Sequence, residues 1–248
     1  MSPPRKIRCT VESIVDHGEH VYTVDLVPAS PVPSFRAGQF LHLTVDEYDP
    51  AGFWPESRIF SIASSPCARA RVRICYSVKG RYTTKMEKAL KVGGQVWVKL
   101  PYGEFVIGDR SDVVLIAGGT GISAFIAFLE ALTPGHPRAV TLAYGARTPK
   151  LLLFHDIILS KLARVPRFEV VFFSETGDVG FAGRTAALPR QPRWFSGRIV
   201  LGEVWPQLVG PASRVYYLSG PPDMLTALGA DLQARGVKAN SVHTDAWE

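Results

Sequence analysis

The pattern of apolar residues changes near residue 107, and this change constrains the fold more than any other feature of the sequence. Before it, short segments rich in β-branched and aromatic residues are separated by Gly- and Pro-containing turns, which is typical of an antiparallel barrel or sandwich. After it, continuous apolar runs alternate with helical segments, which is typical of a parallel sheet with crossover helices. The sequence therefore predicts an N-terminal antiparallel β-barrel domain, residues 1–107, and a C-terminal α/β parallel-sheet domain, residues 108–248.

Individual elements can be placed within each half. The first half has predicted strands at CTVESIV, YTVDLVP, QFLHLTV, RVRICYSV and GQVWVKL, with a short helix at TTKMEKAL. The second half has predicted strands at DVVLIAGG, AVTLAYGAR, FEVVFFSE and VYYLSG, and predicted helices at GISAFIAFLEAL, LLFHDIILSKLAR and DMLTALGADLQARG. Residues 177–213, which are rich in Pro, Arg and Trp, receive no predicted element.

Composition excludes several classes of protein. The three cysteines contain no CxxC pair and cannot form a Cys₄ zinc or iron–sulfur site, and the six histidines lack a ligand spacing, so no metal is expected. No apolar run reaches the roughly 18 residues of a membrane span. The start, MSPPRKIRCTVE, lacks the apolar segment of a signal peptide, so we expect a cytoplasmic protein. No dense Lys/Arg stripe or nucleic-acid-binding motif is present, and nucleic acid is not expected as a partner.

The charge of the chain leaves two interpretations open. The net charge is +6, and residues 1–107 carry 14 basic and 10 acidic side chains. A basic surface can steer an acidic partner or an anionic cofactor. The same balance is equally typical of a mildly basic protein with no such partner.

Two predicted strands of the second half end in glycine-rich turns before helices. Gly118-Gly119-Thr120-Gly121 follows the first strand, and Ser219-Gly220-Pro221-Pro222 follows the fourth. Glycines allow a ligand to approach the backbone, and the N–H groups of a helix N-terminus suit a pyrophosphate. The carboxyl ends of parallel strands meet at one crevice, so both turns indicate one binding site. A plain tight turn, and a helix start with proline in its first turn, remain alternatives.

A third motif lies in the barrel half at Arg58-Ile59-Phe60-Ser61. Arginine can pair with a phosphate, an aromatic ring can stack on a flat heterocycle, and a serine hydroxyl can bond a ring nitrogen. An ordinary strand with an exposed arginine is the alternative for this motif taken alone.

The motifs together resemble those of the ferredoxin–NADP reductase superfamily of flavoproteins, in the same order over almost the whole chain. The matching segments are GQF (Gly38–Phe40), RIFS (Arg58–Ser61), GRYT (Gly80–Thr83), PYGEF (Pro101–Phe105), GGTGI (Gly118–Ile122), YGAR (Tyr144–Arg147) and SGPPDM (Ser219–Met224).

The resemblance implies an FAD site in the barrel. Arg58 would bind the pyrophosphate, Phe60 would pack on the isoalloxazine, and Ser61 would hydrogen-bond N5. Arg81 and Thr83 would hold phosphate at the start of the short helix. The implied FAD site also includes Ile59, Cys75, Tyr76, Gly80 and Tyr82.

The resemblance also implies a nicotinamide dinucleotide site, with Gly119, Thr120 and Gly121 around the dinucleotide. Further residues of this implied site are Ile122, Tyr144, Arg147, Ser174, Glu175, Gly220, Pro221 and Met224. Glu175 stands where phosphate-binding relatives often have arginine and would repel a 2′-phosphate, so NADH is favoured over NADPH. Four arginines in the unassigned segment could reverse this preference: Arg184, Arg190, Arg193 and Arg198.

The resemblance implies that Ser61, Ser219, Asp245 and Trp247 are catalytic. The ending Asp245-x-Trp247 is similar to the acidic residue and aromatic ring that cover the flavin in many relatives, although an incidental terminal tryptophan is the alternative. Two positions depart from the family pattern. Phe60 replaces a tyrosine and Ser219 replaces a cysteine, and we expect hydride transfer to survive because the cofactors carry the chemistry.

The activity implied by the resemblance is that of a flavin-dependent oxidoreductase. Electrons would pass from NAD(P)H through FAD to a separate, acidic acceptor protein: a ferredoxin, a flavodoxin or an oxygenase component. Two alternatives remain open from the sequence. One is a free-flavin or ferric reductase that binds flavin loosely, and the other is a non-catalytic dinucleotide-binding regulator with the same fold.

Overall fold

The computed structural model describes residues 3–108, 110–176 and 189–245. The chain divides into two compact units. The first is formed by Met1–Val106 with Ile126–Ala131, and the second by Ile107–Phe125 with Leu132–Glu248.

The first unit is a nearly closed antiparallel barrel, which confirms the predicted fold of the N-terminal half. Its six strands follow the order β4-β3-β6-β1-β2-β5 in the sheet. One of them, β4, was not among the five strand segments predicted from the sequence. The elements are β1 (Arg5–Asp16), β2 (Val21–Pro28), β3 (Phe40–Thr44), β4 (Arg58–Ser61), β5 (Val72–Ser77), helix α1 (Arg81–Ala89) and β6 (Gln95–Tyr102).

Alternation along the strands builds the barrel core. In β1, Ile7, Cys9 and Val11 are buried, while Lys6 before them and Arg8 between the first two are exposed. Successive side chains of a strand point to opposite faces, so one face of β1 is inside the barrel and the other outside. Burial in this core raises the pKa of the Cys9 thiol to about 12.

An ionic cluster surrounds the buried carboxylate of Asp25 in the first unit. Asp25 accepts hydrogen bonds from Arg71 and Arg73, both at 2.9 Å, and Arg73 also pairs with Glu130 at 3.0 Å. Burial by itself raises the pKa of Asp25, but the Arg71 hydrogen bond and the Arg73 charge together bring it below its ordinary value. Glu130 also accepts the Ser65 amide at 2.7 Å. Residues 126–131 are thereby tied to the first unit.

The second unit is a parallel six-stranded sheet with helices, as the sequence predicts. The strand order is β10-β9-β8-β7-β11-β12. Its elements are β7 (Val113–Gly118), α2 (Ser123–Ala131), β8 (Val140–Ala146), α3 (His155–Arg164), β9 (Phe168–Ser174), β10 (Arg193–Ser196), α4 (Leu201–Val204), β11 (Val215–Ser219), α5 (Pro222–Ala234) and β12 (Val242–Asp245). All six residues of β7 are buried, which is typical of a central parallel strand.

The order of strands reverses beside β7. The chain runs from β7 through β8 and β9 to β10 on one side, and then returns to place β11 and β12 on the other. Ligands of open α/β sheets bind at the carboxyl ends of the strands where the order reverses. In this unit that position is the shared end of β7 and β11.

The described part of the unassigned segment 177–213 contributes β10, α4 and one structural arginine. The Arg190 guanidinium donates to the carbonyl oxygens of Leu162, Val165, Pro166 and Phe168, around the end of α3. The last carbonyl groups of a helix have no partner within the helix, and Arg190 supplies one.

Among the described residues, no helix is long and apolar enough to cross a membrane, and no three His, Cys, Asp or Glu side chains cluster as a metal site would require.

Candidate functional site

The ends of β7 and β11 meet through backbone atoms. Ser219 pairs with Ala117 in the parallel register. A Cβ at Gly121 would lie 2.3 Å from the Ser219 carbonyl oxygen, and a Cβ at Gly220 would lie 3.0 Å from the Gly118 nitrogen. No side chain fits at either glycine without displacing backbone. The two glycine-rich turns predicted to share one site are therefore in contact.

Gly119 and Thr120 form the accessible part of this junction. Gly119 has a φ of +54°, and a Cβ there would meet nothing within 4 Å. The left-handed backbone conformation, and not close packing, therefore favours glycine at this position. A 3₁₀ turn over Gly119–Ile122 leads directly into α2. The N–H groups of a helix start have no partners within the helix and favour an anion. An exposed glycine turn at a helix start fits the pyrophosphate of a dinucleotide.

Two residues that follow Gly220, Pro221 and Met224, lie over the first turn. The Met224 sulfur would be 2.7 Å from a Cβ at Gly118, and the Pro221 ring 3.0 Å from it. Met224 is half-buried and packs against the core of the second unit. The structure thus brings Gly118, Gly220, Pro221 and Met224 together.

Ser219 and Asp245 form a hydrogen-bonded pair at the same sheet edge. The Ser219 hydroxyl donates to the Asp245 carboxylate at 3.0 Å, because parallel pairing of β11 with β12 places these residues opposite each other. Ser219 is buried. Trp247 lies outside the described residues.

Several charged side chains lie together at the ends of β8 and β9. Glu175 is exposed and pairs with Arg198 at 3.2 Å. The Arg147 carbonyl accepts the Thr176 amide at 2.8 Å, which joins the loops after the two strands. Ser174 is buried, and its hydroxyl donates to the Thr176 carbonyl at 2.8 Å. Glu175, Arg147 and Arg198 therefore offer charged side chains at this edge, while the Ser174 hydroxyl is already bonded within the chain.

Two predicted residues of the second unit have their side chains in the core. Tyr144 is fully buried, and its hydroxyl donates to the Leu151 carbonyl and accepts the Leu153 amide. Ile122 is also fully buried. Tyr144 supports the loop after β8, and neither side chain is exposed to a ligand.

In the first unit, Glu56 joins the start of α1 to the segment before β4. The Tyr82 hydroxyl donates to the Glu56 carbonyl at 2.9 Å, and the Arg81 guanidinium pairs with the Glu56 carboxylate at 2.7 Å. Tyr82 is buried, so its side chain positions α1 and β4 and does not face a ligand. These contacts place Arg58, at the start of β4, with its guanidinium 5.6 Å from the centre of the Tyr82 ring.

The start of α1 fits a phosphate. The Thr83 hydroxyl accepts the amides of Lys79 and Gly80 at 2.9 and 3.1 Å and so orders the turn before the helix. The first turn contains no acidic residue, and Arg81 is largely exposed. Arg58 is exposed and forms no ion pair with any described residue. Two cations and a helix N-terminus together are a suitable donor set for an anion.

The rest of the RIFS motif continues from Arg58 along β4. Ile59, Phe60 and Ser61 are half-exposed, and the Phe60 ring lies 6.1 Å from the Tyr76 ring, between centroids. Cys75 is buried, and its burial raises the pKa of its thiol to about 12. Phe60 and Ser61 can contact a ligand at this edge of the barrel, whereas the Cys75 side chain cannot.

Comparisons with known proteins agree with this arrangement. The model of the oxidoreductase NAD-binding domain matches residues 115–229. The reductase component of phenol 2-monooxygenase from Pseudomonas sp. strain CF600 is 29% identical over 235 residues, which cover 91% of this chain and 61% of that protein. The propane 2-monooxygenase reductase component from Rhodococcus jostii strain RHA1 is 28% identical over 252 residues, 98% of this chain and 64% of that protein.

Comparison with solved structures supports the same fold. The Amycolatopsis cytochrome P450 reductase GcoB superposes with a TM-score of 0.79 at 22% identity, over 100% of this chain and 71% of that one. Residues 115–229 thus match the oxidoreductase NAD-binding domain, and almost the whole chain is similar to reductase components of oxygenases. The chain spans 61% and 64% of the length of the two oxygenase reductase components.

Three contacts among the residues of the candidate site were not predicted from the sequence. Arg198 pairs with Glu175 across 23 residues, Tyr82 reaches Glu56 across 26, and Ser219 reaches Asp245 across 26. From the sequence, Ser219 and Asp245 were predicted as site residues but not as a pair, and Arg198 was predicted only as a candidate cation for a 2′-phosphate. The register of β11 with β12, which joins the last pair, could not be derived because β12 was not recognised.

Gly121→Ala tests the backbone contact between the two strand ends. The new methyl group would lie 2.3 Å from the Ser219 carbonyl oxygen, so we expect the free energy of unfolding to fall by about 1–3 kcal/mol. Gly135→Ala is the matched control, because a Cβ there meets nothing within 4 Å. Urea unfolding followed by circular dichroism measures both. Equal stability of the two variants would contradict the contact.

Proposed function

We propose that the chain is a flavin-dependent NAD(P)H oxidoreductase that passes electrons to a separate protein acceptor. The single observation that carries the proposal is the junction of two glycine-rich turns at the reversal point of the parallel sheet, with Gly119 open to a ligand. The relatives named as oxygenase reductase components support the same activity. Residues 1–107 are proposed as the FAD domain and residues 108–248 as the NAD(P) domain.

In this proposal, the first unit holds FAD. Arg58, Arg81 and the start of α1 bind its phosphates, and the Phe60 ring packs against its isoalloxazine. The Ser61 hydroxyl donates a hydrogen bond at N5. Ile59 and Gly80 complete the surface, with Cys75, Tyr76 and Tyr82 acting through backbone atoms and packing because their side chains are buried. A bound flavin accepts a hydride from nicotinamide and can release the two electrons one at a time.

The second unit holds the nicotinamide dinucleotide. The amides of Gly119, Thr120 and Gly121 bind its pyrophosphate, and Gly220, Pro221 and Met224 line the other side of the junction. The Ser219 hydroxyl donates a hydrogen bond to the Asp245 carboxylate at 3.0 Å. The lone pairs of the Ser219 oxygen are therefore left to accept a hydrogen bond from the ligand.

We propose NADH as the preferred donor. The Glu175 carboxylate repels a 2′-phosphate and can accept hydrogen bonds from ribose hydroxyls. Arg198, the cation beside it, is engaged by that carboxylate at 3.2 Å. The pair therefore favours the dinucleotide without the extra phosphate.

The proposed acceptor is an acidic protein of the oxygenase-component, ferredoxin or flavodoxin type. Two relatives are reductase components of oxygenases. The excess of basic side chains in residues 1–107, 14 against 10 acidic, suits an acidic partner. We propose the cytoplasm as the place of action.

Anaerobic addition of NADH to the FAD-loaded protein tests the proposed activity. We expect the visible flavin absorbance to bleach, and Arg58→Ala to retain less FAD after desalting than the wild type because it loses a phosphate contact. Arg138→Ala, which removes an exposed arginine of the second unit, should retain FAD normally. Protein that cannot be loaded with FAD, or whose flavin stays oxidised, would refute the proposal. Rapid reduction of flavin that the protein does not retain would favour a free-flavin reductase.

Glu175→Gln tests the proposed preference for NADH. Loss of the carboxylate releases Arg198 to pair with a 2′-phosphate, so the ratio of kcat/KM for NADPH to that for NADH should rise by about tenfold. Adding Arg198→Ala to this variant should remove the gain. Steady-state kinetics with both nucleotides measures the ratio. An unchanged ratio in the single variant, or a gain that survives in the double variant, would contradict the role of the pair.

A further inference from the structure

The Met224 thioether lies against two backbone glycines of the proposed dinucleotide site. Its sulfur would be 2.7 Å from a Cβ at Gly118, and its methyl group 2.7 Å from a Cβ at Gly220. The thioether therefore occupies the space that side chains at these two positions would need. Any enlargement of the Met224 side chain on that side requires the side chain itself or one of the two turns to shift.

Met224 differs from the other sulfur-containing residues in its accessibility. It is half-exposed at the start of α5, whereas Met86 is completely buried in the barrel core. Cys9 and Cys75 are buried, and burial raises the pKa of each thiol to about 12, which suppresses the reactive thiolate. Cys67 is exposed. Among the described residues, Met224 is thus the partly exposed methionine, and Cys67 is the exposed thiol that an oxidation experiment must exclude.

We propose that Met224 is an oxidation site at which hydrogen peroxide lowers the affinity of the chain for nicotinamide dinucleotides. This inference rests on the proposed function, since it takes the junction of β7 and β11 to be the dinucleotide site. It adds a chemical modification of that site, with a peroxide as the reagent and methionine sulfoxide as the product.

The reaction is a two-electron oxygen transfer. The Met224 sulfur uses a lone pair to attack one peroxide oxygen, a sulfur–oxygen bond forms and the oxygen–oxygen bond breaks. The sulfur is oxidised by two electrons, and the peroxide, after proton transfer, is reduced to water. Methionine sulfoxide is reversible, because sulfoxide reductases return it to the thioether.

The product is both larger and more polar than the thioether. The sulfoxide oxygen requires space and hydrogen bonds beside Gly118 and Gly220, where the backbones of the two turns already approach closely. Oxidation therefore shifts Met224 or the turns and changes the surface that receives the dinucleotide. When dioxygen takes electrons in place of the acceptor protein, peroxide can form, and oxidation at Met224 would then reduce further use of NADH.

The test uses full-length protein carrying Cys67→Ser, so that the exposed thiol does not react. Samples with Met224 or with Met224→Leu are treated with hydrogen peroxide. Oxidation is located by mass spectrometry of peptides, and NAD⁺ binding is measured by isothermal titration calorimetry before and after treatment. These two readouts do not depend on flavin reduction. Each variant is compared with its own untreated sample, because Met224→Leu can alter the starting affinity.

We expect Met224 to gain one oxygen atom before Met86 does, and the Kd for NAD⁺ to rise by about tenfold in the Met224 protein. Repair with sulfoxide reductases should restore the original Kd, and treated Met224→Leu protein should keep its own Kd. Complete oxidation of Met224 with an unchanged Kd, preferential oxidation of Met86, or an equal loss in Met224→Leu would each overturn the inference. Failure of the untreated protein to bind NAD⁺ would instead refute the proposed function on which it rests.

Discussion

The close approach of the β7 and β11 chain ends is the constraint on which the candidate dinucleotide site depends. Parallel pairing places Ser219 opposite Ala117, and the turn after β7 then passes so near β11 that Gly121 has no space for a Cβ. Both turns lead into helices, so the same junction presents the start of α2 and the start of α5. A reversal of strand order at this position gives an open α/β sheet its ligand crevice. Backbone geometry, and not any single side chain, therefore defines the site.

The candidate anion site of the barrel is assembled differently. Its candidate site depends on Glu56, which joins α1 to the segment before β4 through Tyr82 and Arg81. These contacts bring Arg58 to the helix whose start is ordered by Thr83. Side-chain contacts between segments distant in sequence, and not a glycine turn, assemble this site. The candidate anion sites of the two units are therefore built in separate ways.

Much of the fold could be predicted because its strongest elements have clear periodicity. The continuous apolar run of β7 indicated a central parallel strand, and all six of its residues are buried. The two missed strands of that sheet, β10 and β12, have four residues each and polar or aromatic sequences, RWFS and VHTD. Neighbouring strands determine such short segments, and no local pattern indicates them. The structural role of Arg190 could likewise not be predicted from the sequence, since its partners at the end of α3 lie 22 to 28 residues earlier.

The candidate site was predictable as a set of positions but not as a set of side-chain roles. The motifs contain both exposed and buried residues, because successive positions alternate between the surface and the core. Arg58 and Glu175 offer exposed charges, whereas Tyr82, Cys75 and Tyr144 are buried and support the same motifs from inside. A motif match cannot separate these two groups, and the three-dimensional packing does.

The most direct test of the central claim is a backbone amide NMR map of the full chain during titration with NAD⁺. If the junction of β7 and β11 is the dinucleotide site, the largest chemical-shift changes will occur at Gly119, Thr120, Gly121 and Gly220, and they will saturate together. Saturable binding of NAD⁺ that leaves these four amides unshifted, with the changes located elsewhere, would contradict the claim.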